Sequence, residues 1–249
     1  MDNNLKKAQN IMLEILIEVD KICKKHNINY WLDSGTLLGA IRHKGFIPWD
    51  DDLDISMSID DYYKFIKIAQ DELPTSMQLQ TKEIEKDFPY DFAKIRDNRG
   101  KIIEQHEKNK NVTYNQGIFI DIIPVIFIKD SFFYKTLYKF NFLAIKLFSY
   151  KYLNINKIRQ LLIRLHDKMH SFNNKIVIRS GKFPSYLLYI NKELIFPLKK
   201  IEFENYNFYI PNKAEEYLKS LYGNNFMQLP PKEKQHTHAF KIEIFKEKK

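Results

Sequence analysis

The chain has 249 residues, of which 44% are hydrophobic and 29% charged, with seven glycines and nine prolines. These proportions are typical of a globular core and exclude a low-complexity or disordered chain, while a net charge of +9 favours anionic partners. The single cysteine, Cys23, excludes an internal disulfide and a cysteine-based zinc site, and it suits a reducing compartment.

Helical and strand patterns alternate along the chain. The predicted elements, in chain order, are an amphipathic helix over 4–26, a brief helix over 37–41, a strand over 52–57, a helix over 59–73, strands over 92–96 and 118–123, a mostly helical block from 129 to about 179, a strand over 202–210, and a helix over 211–221 that stops at Gly223. This alternation predicts an α+β fold, close to α/β, with a mixed sheet flanked by helices and a helical insertion.

Positive charge is concentrated in the middle of the chain. Residues 129–200 contain 15 Lys and Arg against three Asp and Glu, so the remainder is mildly acidic. The asymmetry indicates either a surface that faces phosphates or a solvated helical face. Phe and Tyr are interleaved with the lysines between 132 and 152. Two interpretations are open for these rings: contact with a membrane interface, or packing onto the core. Core packing is the expectation for most of these rings.

The most informative stretch is 31–57, WLDSGTLLGAIRHKGFIPWDDDLDISM. Four carboxylates fall within five of its positions: Asp50, Asp51, Asp52 and Asp54. Because side chains alternate along a strand, Asp52 and Asp54 are expected on one face with Asp50 at its edge, and the apolar residues between them in the core. Two such charges 4 Å apart repel by about 4 kcal/mol at an effective dielectric of 20, so a partly buried cluster needs protons or a cation. Oxygen ligands favour hard divalent ions, with Mg²⁺ usual beside phosphate.

Two other interpretations of the acidic stretch are an exposed turn and a calcium loop. A solvated turn gives no reason for the alternating apolar residues. A calcium loop needs glycine at its sixth position, where this chain has Ile55.

A Ser-Gly-Thr element, Ser34 to Thr36, precedes the carboxylates and leads into the predicted brief helix. A helix N-terminus of this kind offers backbone N–H groups to phosphate. Together with the Asp-x-Asp strand about 17 residues later, the element resembles the nucleotidyltransferase superfamily that includes DNA polymerase β. The resemblance implies that the glycine element holds phosphates, that the Asp-x-Asp pair binds metal, and that a later strand supplies a third carboxylate, for which Asp121 is the candidate.

Longer motifs resemble the LicD family. The most specific one spans 35–57, and others follow in family order: FAKIRD over 92–97, GIFIDIIP over 117–124, FENYNFYIP over 203–211 and YLKSLYGNNFMQLPP over 217–231. The resemblance implies transfer of a phospho-alcohol group from a CDP-activated donor to a sugar hydroxyl. In bacterial members this is typically phosphocholine from CDP-choline, placed on teichoic acid, lipopolysaccharide or capsule. Relatives in the fukutin group transfer ribitol phosphate, so the alcohol stays open.

The resemblance also assigns roles to individual residues. Asp52 and Asp54, with Asp50 or Asp121, are implied to hold one or two Mg²⁺ (or Mn²⁺) ions that bridge the donor's diphosphate. Asp121 is also a candidate to accept the proton of the acceptor hydroxyl. The expected contacts to the donor phosphates are Ser34, Gly35, Thr36, Arg42, Lys44, Lys94 and His238.

Four further residues are weaker candidates. Arg96 lies two positions after Lys94 and is a candidate phosphate ligand, although an exposed surface role stays open for it and for the other three cations, Arg42, Lys44 and Lys94. For His236 an idle surface role is expected. Trp31 and Trp49 flank the acidic stretch and are candidate walls of a choline cage. A core role is the expectation for both tryptophans.

The predicted organisation is a catalytic core over 1–128, a basic helical segment over 129–200, and a C-terminal region over 201–249 that completes the core. No secretory signal or membrane span is recognised, so a cytoplasmic location is expected, with peripheral contact to the inner face of an anionic membrane as an option. The expected partners are a CDP-alcohol and a glycan acceptor, with a lipid-linked acceptor as an option, and no nucleic acid.

Two alternatives to phosphotransfer stay open. One is nucleotidyl transfer, which places a nucleoside monophosphate on a small molecule or protein. The other is non-catalytic binding of anionic membranes or nucleic acid through the basic segment.

Overall fold

A computed structural model describes residues 3–149, 161, 164, 175–180 and 187–245 of the chain. In this part of the chain, eight strands form one mixed sheet, two more form a separate hairpin, and helices pack around them. The predicted α+β class with a mixed sheet flanked by helices is confirmed. None of the described helices is long and apolar enough to cross a membrane.

The described helices are α1 (Asn3–Lys25), α2 (Ser34–His43), α3 (Ile59–Glu72), α4 (Phe132–Ser149), α5 (Lys192–Ile195) and α6 (Ala214–Tyr222). The described strands are β1 (Trp31–Leu32), β2 (Asp54–Ser58), β3 (Met77–Gln80), β4 (Ala93–Glu104), β5 (Gly117–Ile128), β6 (Ile176–Ser180), β7 (Leu187–Asn191), β8 (Lys199–Phe203), β9 (Tyr206–Ile210) and β10 (Ala239–Ile244).

Strand β5 is the centre of the sheet, which has the order β1-β2-β5-β4-β10, with β3 on β4 and β6 and β7 extending from β5. Strand β2 runs parallel to β5 and sets Asp54 opposite Asp121. Strand β4 runs antiparallel to β5 and sets Lys94 opposite Asp121. Because residues paired across adjacent strands point to the same face, these three side chains share one face of the sheet.

The core lies between the sheet and the helices α1 and α3. The predicted apolar stripe of α1 is buried, with Met12, Ile15 and Val19 fully enclosed, and α1 contacts β4, β5 and β10. Helix α3 buries Phe65 against β2 and β5. The apolar residues between the carboxylates, Leu53, Ile55 and Met57, are fully buried, as predicted. The ends of α1 and α3 agree with the prediction to within one residue.

Several strand predictions were wrong in length or kind. Strand β2 begins at Asp54, so Asp50 and Asp52 lie in the loop before it. Strands β4 and β5 are 12 residues long each, about twice the prediction. The stretch 202–210 belongs to the hairpin β8–β9, because Glu204 and Asn205 adopt positive φ values of 48° and 66° and reverse the chain.

The basic segment is helical only in part. Helix α4 confirms the prediction over 132–149, whereas β6 at 176–180 contradicts it, and most of 150–174 lies outside the described residues. Of the described rings, Tyr138 is fully buried and Tyr134 packs on the core, while Phe132, Phe133 and Phe140 are exposed. The expectation of core packing is right for the two tyrosines and wrong for the three phenylalanines. The division of the chain at 128 and 200 stays a prediction.

Candidate active site

Three carboxylates meet where β2 begins. Asp52, Asp54 and Asp121 each offer an oxygen, and these oxygens all lie within 4.8 Å of one another. Asp121 is fully buried, Asp54 is 5% exposed, and Asp52 is half-buried. The parallel pairing of β2 with β5 therefore brings together the three acidic residues that the sequence analysis singled out. A compact set of carboxylate oxygens at this spacing suits a hard divalent cation.

Asp50 lies beside this cluster and next to the first turn of α2. A Cβ atom added to Gly35 would come within 2.8 Å of Asp50 Oδ2, so a larger residue at this position would displace the Asp50 carboxylate. Burial raises the pKa of Asp50 well above its usual range, and the carboxylates of Asp52 and Asp54 raise it further. An acid in this setting holds its charge more readily when a cation is present.

The N-terminus of α2 is held against β2 by side chains. Asp33 caps the helix and is fully buried: its Oδ1 accepts hydrogen bonds from Ser34 N at 2.6 Å and from the Tyr217 hydroxyl at 2.9 Å. Its Oδ2 accepts a third, from Ser56 Oγ at 2.5 Å. The Asp54 N–H donates to Thr36 Oγ1 at 2.8 Å. These bonds fix the Ser-Gly-Thr element beside the carboxylate cluster.

Asp33 is a site residue that the sequence analysis missed. The sequence contains a local indication of this role, because aspartate directly before a helix is a preferred N-cap. Its bonds to Ser56 and Tyr217 cross 23 and 184 residues of sequence, so no local pattern indicated them.

Lys94 is buried inside the site. Its Nζ lies 3.1 Å from Asp121 Oδ1 and 3.3 Å from Glu104 Oε2, and its side chain is 1% exposed. The ammonium group therefore balances part of the negative charge of the cluster. The surface alternative for Lys94 is wrong. Its contact with donor phosphates stays a prediction, which would require these ion pairs to open.

Arg96 is also buried and supports β4. Its Nε donates to Gln80 Oε1 at 2.7 Å and its Nη1 donates to the Gly117 carbonyl at 2.8 Å. Burial lowers the pKa of Arg96. Both the exposed role and the phosphate role considered for this residue conflict with its place inside the protein.

Arg42 and Lys44 lie at the end of α2. Arg42 Nη1 donates to the carbonyls of Phe226 and Gln228 at 3.2 and 3.3 Å, which ties the helix to a C-terminal loop. Burial lowers the pKa of Arg42, and the nearby Asp50 acts in the opposite direction. Lys44 is exposed and ends the helix in a left-handed conformation with φ of 58°. Phosphate contacts of both residues stay predictions.

Asp51 anchors the start of β10. It accepts hydrogen bonds from the backbone N–H groups of His238, at 3.0 Å, and Ala239. The ring Nδ1 of His238 lies 3.8 Å from Asp51 Oδ1, and the side chain of His238 is 81% exposed. His238 is thus near the acidic loop, while His236 is exposed, with its ring near the Glu233 carbonyl. The anchoring role of Asp51 was not predicted.

The two tryptophans belong to the packed interior rather than to an open cage. Trp31 is fully buried, with its ring edge-on to Phe196 at 5.8 Å between centroids. Trp49 is half-buried and packs against the core and the ring of His43. The expected core role is confirmed for both.

The chain is similar to known proteins over the part that carries this site. A family model described as the LicD/FKTN/FKRP nucleotidyltransferase domain matches residues 27–142, which include α2, the cluster and β5. The lipopolysaccharide cholinephosphotransferase LicD of Haemophilus influenzae is 30% identical over 258 positions, covering 94% of this chain and 95% of that protein.

Shorter similarities extend to other organisms. An uncharacterized Rickettsia typhi protein is 45% identical over 68 residues, covering 27% of this chain and 21% of that protein. The human ribitol 5-phosphate transferase FKRP is 50% identical over 34 residues, covering 14% of this chain and 7% of that protein.

The fold and the site define an α+β protein with carboxylates from adjacent strands beside a capped helix. The chain belongs to the LicD family, because it is 30% identical to one member over nearly the full length of both chains. The predicted resemblance is confirmed, and with it the prediction of a LicD-type transferase at the level of the family.

Proposed function

We propose that the protein transfers a phospho-alcohol group, most concretely phosphocholine, from a CDP-activated donor to a hydroxyl of a cell-surface glycan. The observation that carries the proposal is the cluster of Asp52, Asp54 and Asp121 beside α2, in a chain that aligns almost completely with a cholinephosphotransferase. Lipopolysaccharide is the acceptor named for that relative. Teichoic acid, capsule, a lipid-linked acceptor and contact with a membrane stay predictions.

The carboxylates fit a divalent cation. Their oxygens lie within 4.8 Å of one another, and an all-oxygen set suits Mg²⁺ or Mn²⁺. When bound, such an ion supplies charge neutralisation and electrophilic activation at the phosphorus. Asp52, Asp54 and Asp121 would hold it, with Asp50 as a further ligand at the edge.

Helix α2 and Lys94 have different roles beside this cluster. The first turn of α2 presents backbone N–H groups and the positive end of the helix dipole, which favours the diphosphate there. Lys94 holds the carboxylate of Asp121 in place through its ion pair. Because Asp121 is fully buried, we assign it to the metal rather than to proton transfer from the acceptor.

The test is release of CMP from CDP-choline by the wild type and by Asp54→Asn and Asp121→Asn. Each substitution keeps the shape and removes one charge, so we expect a loss of at least about 1000-fold in turnover. Asp71→Asn, at an exposed position of α3, is the matched control and should retain full turnover. Circular dichroism checks folding, and near-normal turnover in a folded Asp54→Asn protein would contradict the proposal.

Nucleotidyl transfer is the second candidate, because the matching family model is described as a nucleotidyltransferase domain. CDP-choline labelled in either half separates the two reactions. Phosphotransfer puts the choline label on the acceptor, whereas nucleotidyl transfer puts the cytidine label there. Pure binding of membranes or nucleic acid is a weaker alternative, because it leaves the carboxylate cluster without a role.

A further inference from the structure

A cavity of about 590 Å³ opens beside the carboxylate cluster. Asp51, Asp52 and Glu104, at the end of β4, are among its lining residues. The rings of Tyr90 and Phe119 contribute apolar surface to its lining. The cavity lies at the β4–β10 side of the sheet, whereas α2 packs at the β2 side. The cluster therefore separates the cavity from the expected diphosphate position.

The fixed charges of the cavity wall are negative. Asp51, Asp52 and Glu104 line it together with three histidines, His106, His236 and His238, and none of its described lining residues is Lys or Arg. An anionic group placed here would meet electrostatic repulsion. The cavity therefore favours an uncharged or positively charged occupant with some apolar surface.

The rings of the wall already contact two cations, the ammonium group of Lys94 and the guanidinium of Arg96, whose Cζ lies 4.6 Å from the centroid of the Phe119 ring. The Nζ of Lys94 lies 3.3 Å from the centroid of the Phe119 ring and 5.1 Å from that of Tyr90, beside the carboxylate of Glu104. Aromatic faces with a nearby carboxylate stabilise a desolvated ammonium group. Lys94 also pairs with Asp121, so it neutralises only part of the acidic surroundings.

We propose that this cavity binds the cationic end of the donor's alcohol, a trimethylammonium group such as that of choline; the inference rests on the proposed function. With the diphosphate at α2 and the cluster in between, the alcohol would extend toward β4 and reach the cavity. A trimethylammonium group has no hydrogen-bond donor to satisfy and presents apolar methyl groups to the rings. Against the two rings, a polyol such as ribitol would lose hydrogen bonds to water.

The test uses two cavity variants and one control. Glu104→Gln removes a charge but can still accept the hydrogen bond from the Tyr90 hydroxyl. Tyr90→Leu removes the ring but keeps an apolar side chain. Glu83→Gln makes the same charge change at an exposed position of the loop that carries Tyr90. For each protein, the inhibition constants of phosphocholine and of CMP are measured against CDP-choline turnover, because they report the two halves of the donor separately.

We expect the inhibition constant of phosphocholine to rise about tenfold in both cavity variants and to stay unchanged in Glu83→Gln. The constant for CMP should change less than about twofold in all three. An unchanged phosphocholine constant in Glu104→Gln overturns the assignment, and so does an equal rise for CMP, which would place the nucleoside in the cavity. If Tyr90→Leu melts at a much lower temperature, Glu104→Gln alone decides.

The wild type separates this inference from the proposed function. Release of CMP from CDP-ribitol in clear preference to CDP-choline would overturn the cavity assignment and leave phosphotransfer intact. No CMP release from any CDP-alcohol, with divalent cation and acceptor present, would contradict the proposed function itself.

Discussion

Asp33 shows how a single buried side chain holds the site together. Its carboxylate joins the first residue of α2, the hydroxyl of Ser56 on β2 and the hydroxyl of Tyr217 on α6. A buried carboxylate is costly unless its oxygens accept several hydrogen bonds, and here both oxygens do so. The position of the Ser-Gly-Thr element relative to Asp54 therefore depends on this residue.

Removal of the Asp33 carboxylate should be far more costly than removal of one of its donors. We expect Asp33→Ala to lower the free energy of unfolding by about 3 kcal/mol, since two buried hydroxyl donors and the backbone N–H of Ser34 lose their acceptor. Tyr217→Phe loses one hydrogen bond and should cost about 1 kcal/mol. Urea denaturation measures both values. Equal losses in the two variants would show that the capping and Ser56 bonds contribute nothing.

Helix α2 is the element that carries the proposed phosphate-binding turn and contacts the acidic loop. Its two glycines face different neighbours: Gly35 faces the side chain of Asp50, while a Cβ atom on Gly39 would lie 2.5 Å from the backbone carbonyl of Gly45. A side-chain carboxylate can rotate away from an added methyl group, but a backbone carbonyl in a packed turn cannot. Alanine should therefore reduce activity at position 35 and reduce stability at position 39.

We expect Gly35→Ala to reduce turnover by at least about tenfold while leaving stability unchanged or raised by up to about 1 kcal/mol, because alanine favours helix. The displaced Asp50 carboxylate accounts for the lost activity. Gly39→Ala should destabilise the fold by about 2 kcal/mol through the backbone clash. Thermal melting and CMP release measured on both variants check this. A destabilised Gly35→Ala protein, or a fully active one, would show that Asp50 is not displaced as described.

At the scale of the whole molecule, the buried acids of the loop before β2 should make stability depend on pH. Burial raises the pKa of Asp51 as well as that of Asp50, although hydrogen bonds from the backbone of His238 and Ala239 oppose the shift at Asp51. A carboxyl group with a raised pKa binds its proton more tightly in the folded chain. The metal-free protein should therefore lose stability as the pH rises from about 4 through the raised pKa values.

A bound divalent cation should reverse this loss. We expect the increase in melting temperature caused by Mg²⁺ to be larger at pH 8 than at pH 5.5, because protons compete for the same carboxylates at the lower pH. Asp50→Asn should weaken this pH dependence, and NaCl at equal ionic strength controls for screening. An equal increase in melting temperature at both pH values would indicate that Mg²⁺ does not bind at these carboxylates.

Prediction from sequence succeeded where the signal was local. The periodicity of apolar residues located α1 and α3 to within one residue, and the Asp-x-Asp pattern with buried neighbours located the acidic site. It located β4 but not the burial of Lys94 and Arg96 on that strand, because charged side chains of this kind usually lie at the surface. Their burial depends on partners from other elements, including Asp121 on β5 and Gln80 on β3.

The sequence by itself determined the family, the α+β class and the residue types of the acidic site, since motif order and short-range periodicity are written along the chain. Only the tertiary structure decided that Asp121 lies next to Asp54, that Lys94 points inward, and that Asp51 and Glu104 face one cavity. These contacts join residues far apart in the chain. They depend on which strands pair and in which register, and long-range pairing leaves little trace in local sequence.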